Sequence, residues 1–181
     1  MYRKSSSEPV VLARDCAAIA VPEGVAVQLP KGSSGSIVQA LGGSFTVLMR
    51  GRLFRVDGDD ADALGKKSPP KPSLSAEATV EELEKAVYEQ LKTCFDPEIP
   101  VNIVDLGLVY ECIIGERAGG EREVLVKMTL TEPSCGMGDV LAADVKHRVG
   151  LIPTVADVRV EFVFEPRWSW EMASEVARLE M

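Results

Sequence analysis

Residues 124–149 read VLVKMTLTEPSCGMGDVLAADVKHRV, and the apolar period changes once along them. Residues 124–130 form a short run rich in Val, Leu and Thr, the pattern of a strand. From Met137 the apolar positions Met137, Leu141, Val145 and Val149 recur every four residues, which lines one face of a helix. Between the two lies TEPSCGMGD (131–139), so Cys135 falls where a strand ends and a helix begins.

Working outward, residues 108–114 make a second strand, joined to 124–130 through a turn at 117–123 that contains Gly119-Gly120. Upstream, Thr79-x-x-Glu82 has the form of a capping box. Val80, Leu83, Val87, Leu91 and Cys94 follow it at helical spacing, and Asp96-Pro97 ends the helix. Downstream, Val158, Val160, Phe162 and Phe164 alternate with Arg159, Glu161 and Glu165, so a third strand buries one face. Ser169 is positioned to cap a short last helix through Leu179. The order is α-β-β-α-β-α, a two-layer sandwich with helices on one face of a small mixed sheet.

Residues 66–75, KKSPPKPSLS, cannot build a core: three prolines, three lysines and three serines make an extended, semi-rigid spacer. The sequence thus predicts a small domain at 1–65, a linker at 66–76 and an α/β domain at 77–181. In the first, short apolar runs at 17–21, 25–29, 36–41, 45–49 and 53–56 alternate with glycine turns, which predicts an all-β barrel or curled sheet. The fold class is therefore α+β. The acidic string Asp57, Asp59, Asp60 and Asp62 lacks the glycine and glutamate of a calcium loop and reads as a solvated turn.

With 46% hydrophobic and 27% charged residues in 181, the composition is that of a folded, soluble protein, and a cytoplasmic location is the expectation. No stretch has the ~20 apolar residues of a membrane span, and Arg14-Asp15 interrupts the run a secretory signal needs. Residues 1–65 balance seven basic against seven acidic groups, whereas residues 76–181 hold ten basic and 21 acidic, a net of −11. That sign argues against nucleic acid, whose phosphates demand a basic footprint. It suits cations or the basic patches of proteins.

The four cysteines, at 16, 94, 112 and 135, form no C-x-x-C pair, and His147 is the sole histidine. This excludes a zinc finger and leaves free thiols in a reducing compartment. Cys94 and Cys112 lie on apolar stripes and read as core. Cys135, by contrast, sits at a helix start between Pro133-Ser134 and Gly136, where the helix dipole and free N–H groups favour thiolate. Gly136 and Gly138 leave room for a ligand to approach. His147, twelve residues along the same helix, is roughly 18 Å away at ~1.5 Å per residue, so a thiol–imidazole pair cannot form within one chain. A soft thiolate with nearby carboxylates instead suits iron or an iron–sulfur cluster. One cysteine cannot hold a cluster alone; a homodimer sharing Cys135, or a partner's ligands, would complete it. A second segment, DPEIPVNIVDLG (96–107), sets Asp96, Glu98 and Asp105 on a proline-stiffened loop that can bind a metal or a partner's basic group. The alternative is a crossing in which Asp96 and Asp105 cap turns.

DPEIPVNIVDLGLVYE (96–111), MTLTEPSCGMGDVLAADV (128–145) and VRVEFVFEPRW (158–168) resemble the domain-of-unknown-function 59 family, tied to metal–sulfur cluster biosynthesis. Residues 15–32 and 39–65 resemble the extra domain of the bacterial SufT proteins. Many relatives carry Pro where this chain has Gly136, and Pro-Pro-Trp where it has Pro166-Arg167-Trp168. The resemblance implies a non-enzymatic accessory role in iron–sulfur protein maturation, with assembly proteins and apo-targets as partners. On this reading Cys135, Gly136 and Met137 hold the cargo, Cys135, Asp96 and Glu98 ligate metal, and Asp105, Glu165 and Trp168 contact partners. The cargo is transient iron or an iron–sulfur cluster. The alternatives are an adapter that docks apo-targets without metal, and a thiol-dependent hydrolase.

Overall fold

The computed structural model describes residues 7–96, 99–132 and 136–179, and the chain divides into two compact units, Met1–Pro70 and Lys71–Met181.

The first unit is a six-stranded antiparallel sheet. Its strands are β1 (Glu8–Val11), β2 (Cys16–Val21), β3 (Val25–Leu29), β4 (Ser34–Leu41), β5 (Ser44–Met49) and β6 (Arg52–Asp57), in the order β1-β4-β5-β6-β2-β3. The sequence predicts five of these. It misses β1 because Pro9 interrupts the run, and β1 indeed lies at an edge, the position where a sheet tolerates proline. β1 and β3 are the two ends of this order, so of the two expected forms, barrel or curled sheet, the strand pairing is that of a sheet. Two-residue turns at Gly42-Gly43 and Arg50-Gly51, all with positive φ, join β4 to β5 and β5 to β6. Such turns match the right-handed twist of the strands they connect. Alternate residues Cys16, Ala18 and Ala20 of β2 meet Val47, Phe54 and Val56 in one core. The acidic string closes the unit. Asp57 accepts from the Asp59 N–H to cap a 3-10 stretch at Gly58–Leu64, and Asp60 and Asp62 grip the Arg14 guanidinium at 2.7 and 2.6 Å.

The second unit carries α1 (Val80–Leu91), β7 (Val109–Glu116), β8 (Arg122–Met128), α2 (Gly138–Gly150), β9 (Val155–Phe162) and α3 (Glu175–Leu179). Both arms of the capping box form: the Glu82 N–H donates to Thr79 Oγ1 and the Thr79 N–H to Glu82 Oε2. β7 pairs antiparallel with β8, and β9 pairs parallel to β8 after the α2 crossover, which makes the sheet mixed. Val124, Val126 and Met128 bury one face of the sheet with Leu83, Val87 and Leu91 of α1 and Leu141, Val145 and Val149 of α2. On the other face Lys127 pairs with Glu111 at 2.8 Å. Arg159 there bridges Glu123 and Asp157, two carboxylates that stand opposite each other in register.

Two local expectations are corrected. Ser169 does not cap one last helix: it precedes a 3-10 turn, Trp170–Met172, without a side-chain cap bond, and Ser174 caps α3 by accepting from the Ala177 N–H. Phe164 lies beyond the end of β9 and is exposed, so the alternating pattern runs one buried position too far. α2 also buries an ion pair that periodicity does not reveal, Arg148 Nε to Asp144 Oδ1 at 3.5 Å.

Candidate functional site

The loop between α1 and β7 has no regular strand or helix and is anchored by four apolar side chains. Val101, Ile103, Leu106 and Leu108 point into the core and are fully or nearly fully buried. This holds the loop down while its polar residues organise the backbone. Phe95 and Asn102 form an antiparallel bridge, and the Ile103 N–H donates to the Cys94 carbonyl. Asp96, 6% exposed, accepts from the Ile99 N–H through Oδ1. It therefore shapes the turn, as in the capping alternative. Asn102 Oδ1 accepts from the N–H groups of Val104 and Asp105, and its Nδ2 donates to Asp105 Oδ2 at 2.6 Å. Glu98, a predicted metal ligand, and Pro97 lie outside the described residues.

The second segment leaves β8 through buried Thr129 and Leu130 and enters α2. Pro133, Ser134 and Cys135 lie outside the described residues, three to five positions before Gly138. Gly136 is exposed, and a Cβ there would meet no atom of the described residues within 4 Å. The two other residues differ from expectation. Met137, a predicted cargo contact, is 2% exposed because the helical stripe it starts faces the interior. Gly138 is buried against Leu130, where a Cβ would come within 3.0 Å of Cδ1, so its small size serves helix–strand packing and not ligand access. Met137 supplies no side-chain cap to the first turn of α2.

The thiols separate by environment. Cys16 and Cys94 are fully buried, and burial pushes the Cys16 thiol up. Cys112 is partly buried beneath α1. Desolvation, with the charge of Glu84 adding to it, pushes its thiol up to about 11. Neither Cys16 nor Cys112 therefore offers a thiolate near neutral pH, and Cys94 is closed off from solvent. His147 is exposed on the last turn of α2, nine residues past Gly138, about 14 Å along the axis at ~1.5 Å per residue.

The chain after β9 folds back over the first loop. The Trp168 indole N–H donates to the Leu106 carbonyl at 2.7 Å, and the Ser174 N–H to the Asp105 carbonyl at 2.7 Å. The Tyr110 hydroxyl donates to the Pro166 carbonyl at 2.6 Å. Trp168, a predicted partner contact, is thus half-buried and packed on the core. Its ring lies 5.0 Å from that of Trp170, edge to face, and Trp170 is the exposed one at 43%. Glu165 is exposed. Sequence reading missed Trp170, Tyr110 and Ser174. Only the two-residue spacing of the tryptophans in an extended segment hinted that one would face out.

This is a small α/β domain with one mixed sheet; in its sequence a carboxylate-bearing loop precedes the first strand and a cysteine-bearing segment precedes the second helix. Residues 84–162 match the model of the iron–sulfur cluster assembly protein family. The chain is 41% identical over 98 residues to the Fe-S protein maturation auxiliary factor of Porphyromonas gingivalis, covering 54% of this chain and 90% of that protein. It is 36% identical over 86 residues to the Fe-S protein maturation auxiliary factor SufT of Staphylococcus aureus, covering 48% and 93%. It is also 35% identical over 78 residues to the iron-sulfur cluster carrier protein of Deinococcus radiodurans, covering 42% of this chain and 21% of that one. The chain belongs to the iron–sulfur cluster assembly protein family. Among the described residues no helix is long and apolar enough to cross a membrane.

Proposed function

We propose that this chain is an accessory factor in iron–sulfur protein maturation that carries iron or a cluster transiently on Cys135 and hands it to apo-proteins. The observation that carries the reading is the disposal of the other thiols. Cys16 and Cys94 are enclosed and Cys112 is held protonated by burial, so within this family's domain Cys135 is the remaining sulfur for a soft metal. The relatives named as maturation factors and as a cluster carrier support the same role. They also support an assisting rather than a turnover function.

Cys135 lends one thiolate, and a second copy of the chain or a partner's ligands complete the set, which keeps the site open for release. Glu98 adds a hard oxygen from the first loop. Asp96, nearly buried and bonded to the Ile99 N–H, fits a turn-shaping role better than that of an open ligand. Asp105 and Glu165 meet basic groups of assembly proteins and apo-targets, matching the net −11 of residues 76–181. The all-β first unit is the SufT-type accessory domain.

Anaerobic reconstitution with ferrous iron and sulfide tests the carrier. Wild type should take up both, and Cys135→Ser should lose most of that uptake; equal uptake by the two proteins ends the reading. The adapter is the second reading, favoured by the exposed Trp170 and by the net negative charge of residues 76–181. It requires apo-protein binding to survive Cys135→Ser.

A further inference from the structure

We infer that Trp168 is a positioning residue for Asp105: together with Ser174 it clamps the first loop so that one carboxylate oxygen stands ready for a basic side chain of the apo-protein. The inference deepens the proposed function and rests on its reading of Asp105 as a partner contact.

Successive peptide groups around Asp105 are each held. Its N–H donates to Asn102 Oδ1 at 2.9 Å, and its carbonyl accepts from the Ser174 N–H at 2.7 Å. The next carbonyl, that of Leu106, accepts from Trp168 Nε1 at 2.7 Å. The Leu106 side chain is fully buried, and Gly107 lies against the Met172 carbonyl with no room for a Cβ. The carboxylate itself is oriented by Asn102 Nδ2 at Oδ2, while no described residue donates to Oδ1. A side chain so held loses little entropy on forming a charge-assisted bond, which is the condition for strong and specific recognition of Lys or Arg.

The donors that do the clamping come from outside the family-matched residues. Asp105 and Asn102 fall within 84–162, but Trp168 and Ser174 lie beyond its end. Loss of the Trp168 N–H leaves the sheet intact and frees the loop alone.

The test uses the full chain in four forms: wild type, Trp168→Phe, which keeps an aromatic ring and removes the donor, Asp105→Asn, and the double variant. The probe is an apo-[4Fe–4S] protein stripped of its cluster with chelator and immobilised. Asp105→Asn should weaken binding about tenfold and Trp168→Phe severalfold, with the double variant no weaker than Asp105→Asn alone, the non-additivity of groups acting as one. Multiplying losses overturn the inference, as does unchanged binding by Trp168→Phe. Hydrogen exchange read on the same proteins should quicken at amides 105–107 in Trp168→Phe and stay at wild-type rates in β7, β8 and β9. No change at 105–107 overturns the clamp, and general quickening assigns Trp168 to stability alone. Tyr110→Phe, which releases the strap at the Pro166 carbonyl, should quicken the same amides and serves if Trp168→Phe fails to fold. Should wild type bind no apo-protein, the proposed function falls while the exchange result still decides the clamp.

Discussion

Gly107, in the left-handed conformation at φ +71, faces the backbone carbonyl of Met172 so closely that a Cβ would overlap it. Gly107→Ala meets two penalties at once, an unfavourable φ and a clash with backbone that cannot step aside. The second unit should lose about 1–3 kcal/mol. Both tryptophans of the chain, Trp168 and Trp170, lie in this unit, so urea unfolding followed by their fluorescence reads it selectively. An unshifted midpoint would refute the close approach.

The buried pair of Asp144 and Arg148 should respond differently to single and double replacement. Arg148→Met alone leaves a carboxylate in the interior and should cost about 3–5 kcal/mol. Asp144→Leu combined with Arg148→Met replaces both charges by apolar groups and should recover most of that loss. Denaturant midpoints of the three proteins decide it, and equal losses for single and double variants would count against a coupled pair.

Thiol chemistry should follow burial. At pH 8 a thiol pushed up to about 11, as in Cys112, is thiolate in about one molecule per thousand. Brief N-ethylmaleimide treatment followed by peptide mass spectrometry should therefore label Cys135 well before Cys16, Cys94 or Cys112. Labelling of all four at one rate would remove the basis for singling out Cys135.

The same shift makes stability depend on alkaline pH. Because the folded thiol of Cys112 titrates above its ordinary 9.0, the folded state holds the proton longer than the unfolded chain. That contribution is complete below about pH 9 and disappears as pH rises through about 11. Cys112→Ala should flatten the decline measured by urea unfolding at pH 8, 10 and 11.

Two glycines two residues apart should behave oppositely. Gly136 has open space where a Cβ would stand and no left-handed φ, so Gly136→Ala should stabilise by about 0.4–1 kcal/mol. Gly138 touches Leu130, and Gly138→Val should cost about 1–3 kcal/mol through overpacking. Thermal unfolding of the two variants measures both signs.

The sequence by itself determined most of the elements and their order, β1 and the 3-10 turns aside. A four-residue stripe such as Met137, Leu141, Val145 and Val149, or the Thr79/Glu82 capping box, is a local code whose partners lie within a turn or two of the same chain. It also marked Asp96, Asp105 and Cys135, because proline, glycine and polar residues cluster there without an apolar period. The tertiary structure decided contacts that the sequence left open. Asp96 went to the Ile99 N–H, Met137 and Gly138 into packing, and Trp168 to a carbonyl 62 positions earlier, leaving Trp170 outside. Periodicity records which face of an element avoids water; a hydrogen bond across 62 residues depends on how two elements come to lie together, and no short-range pattern encodes that.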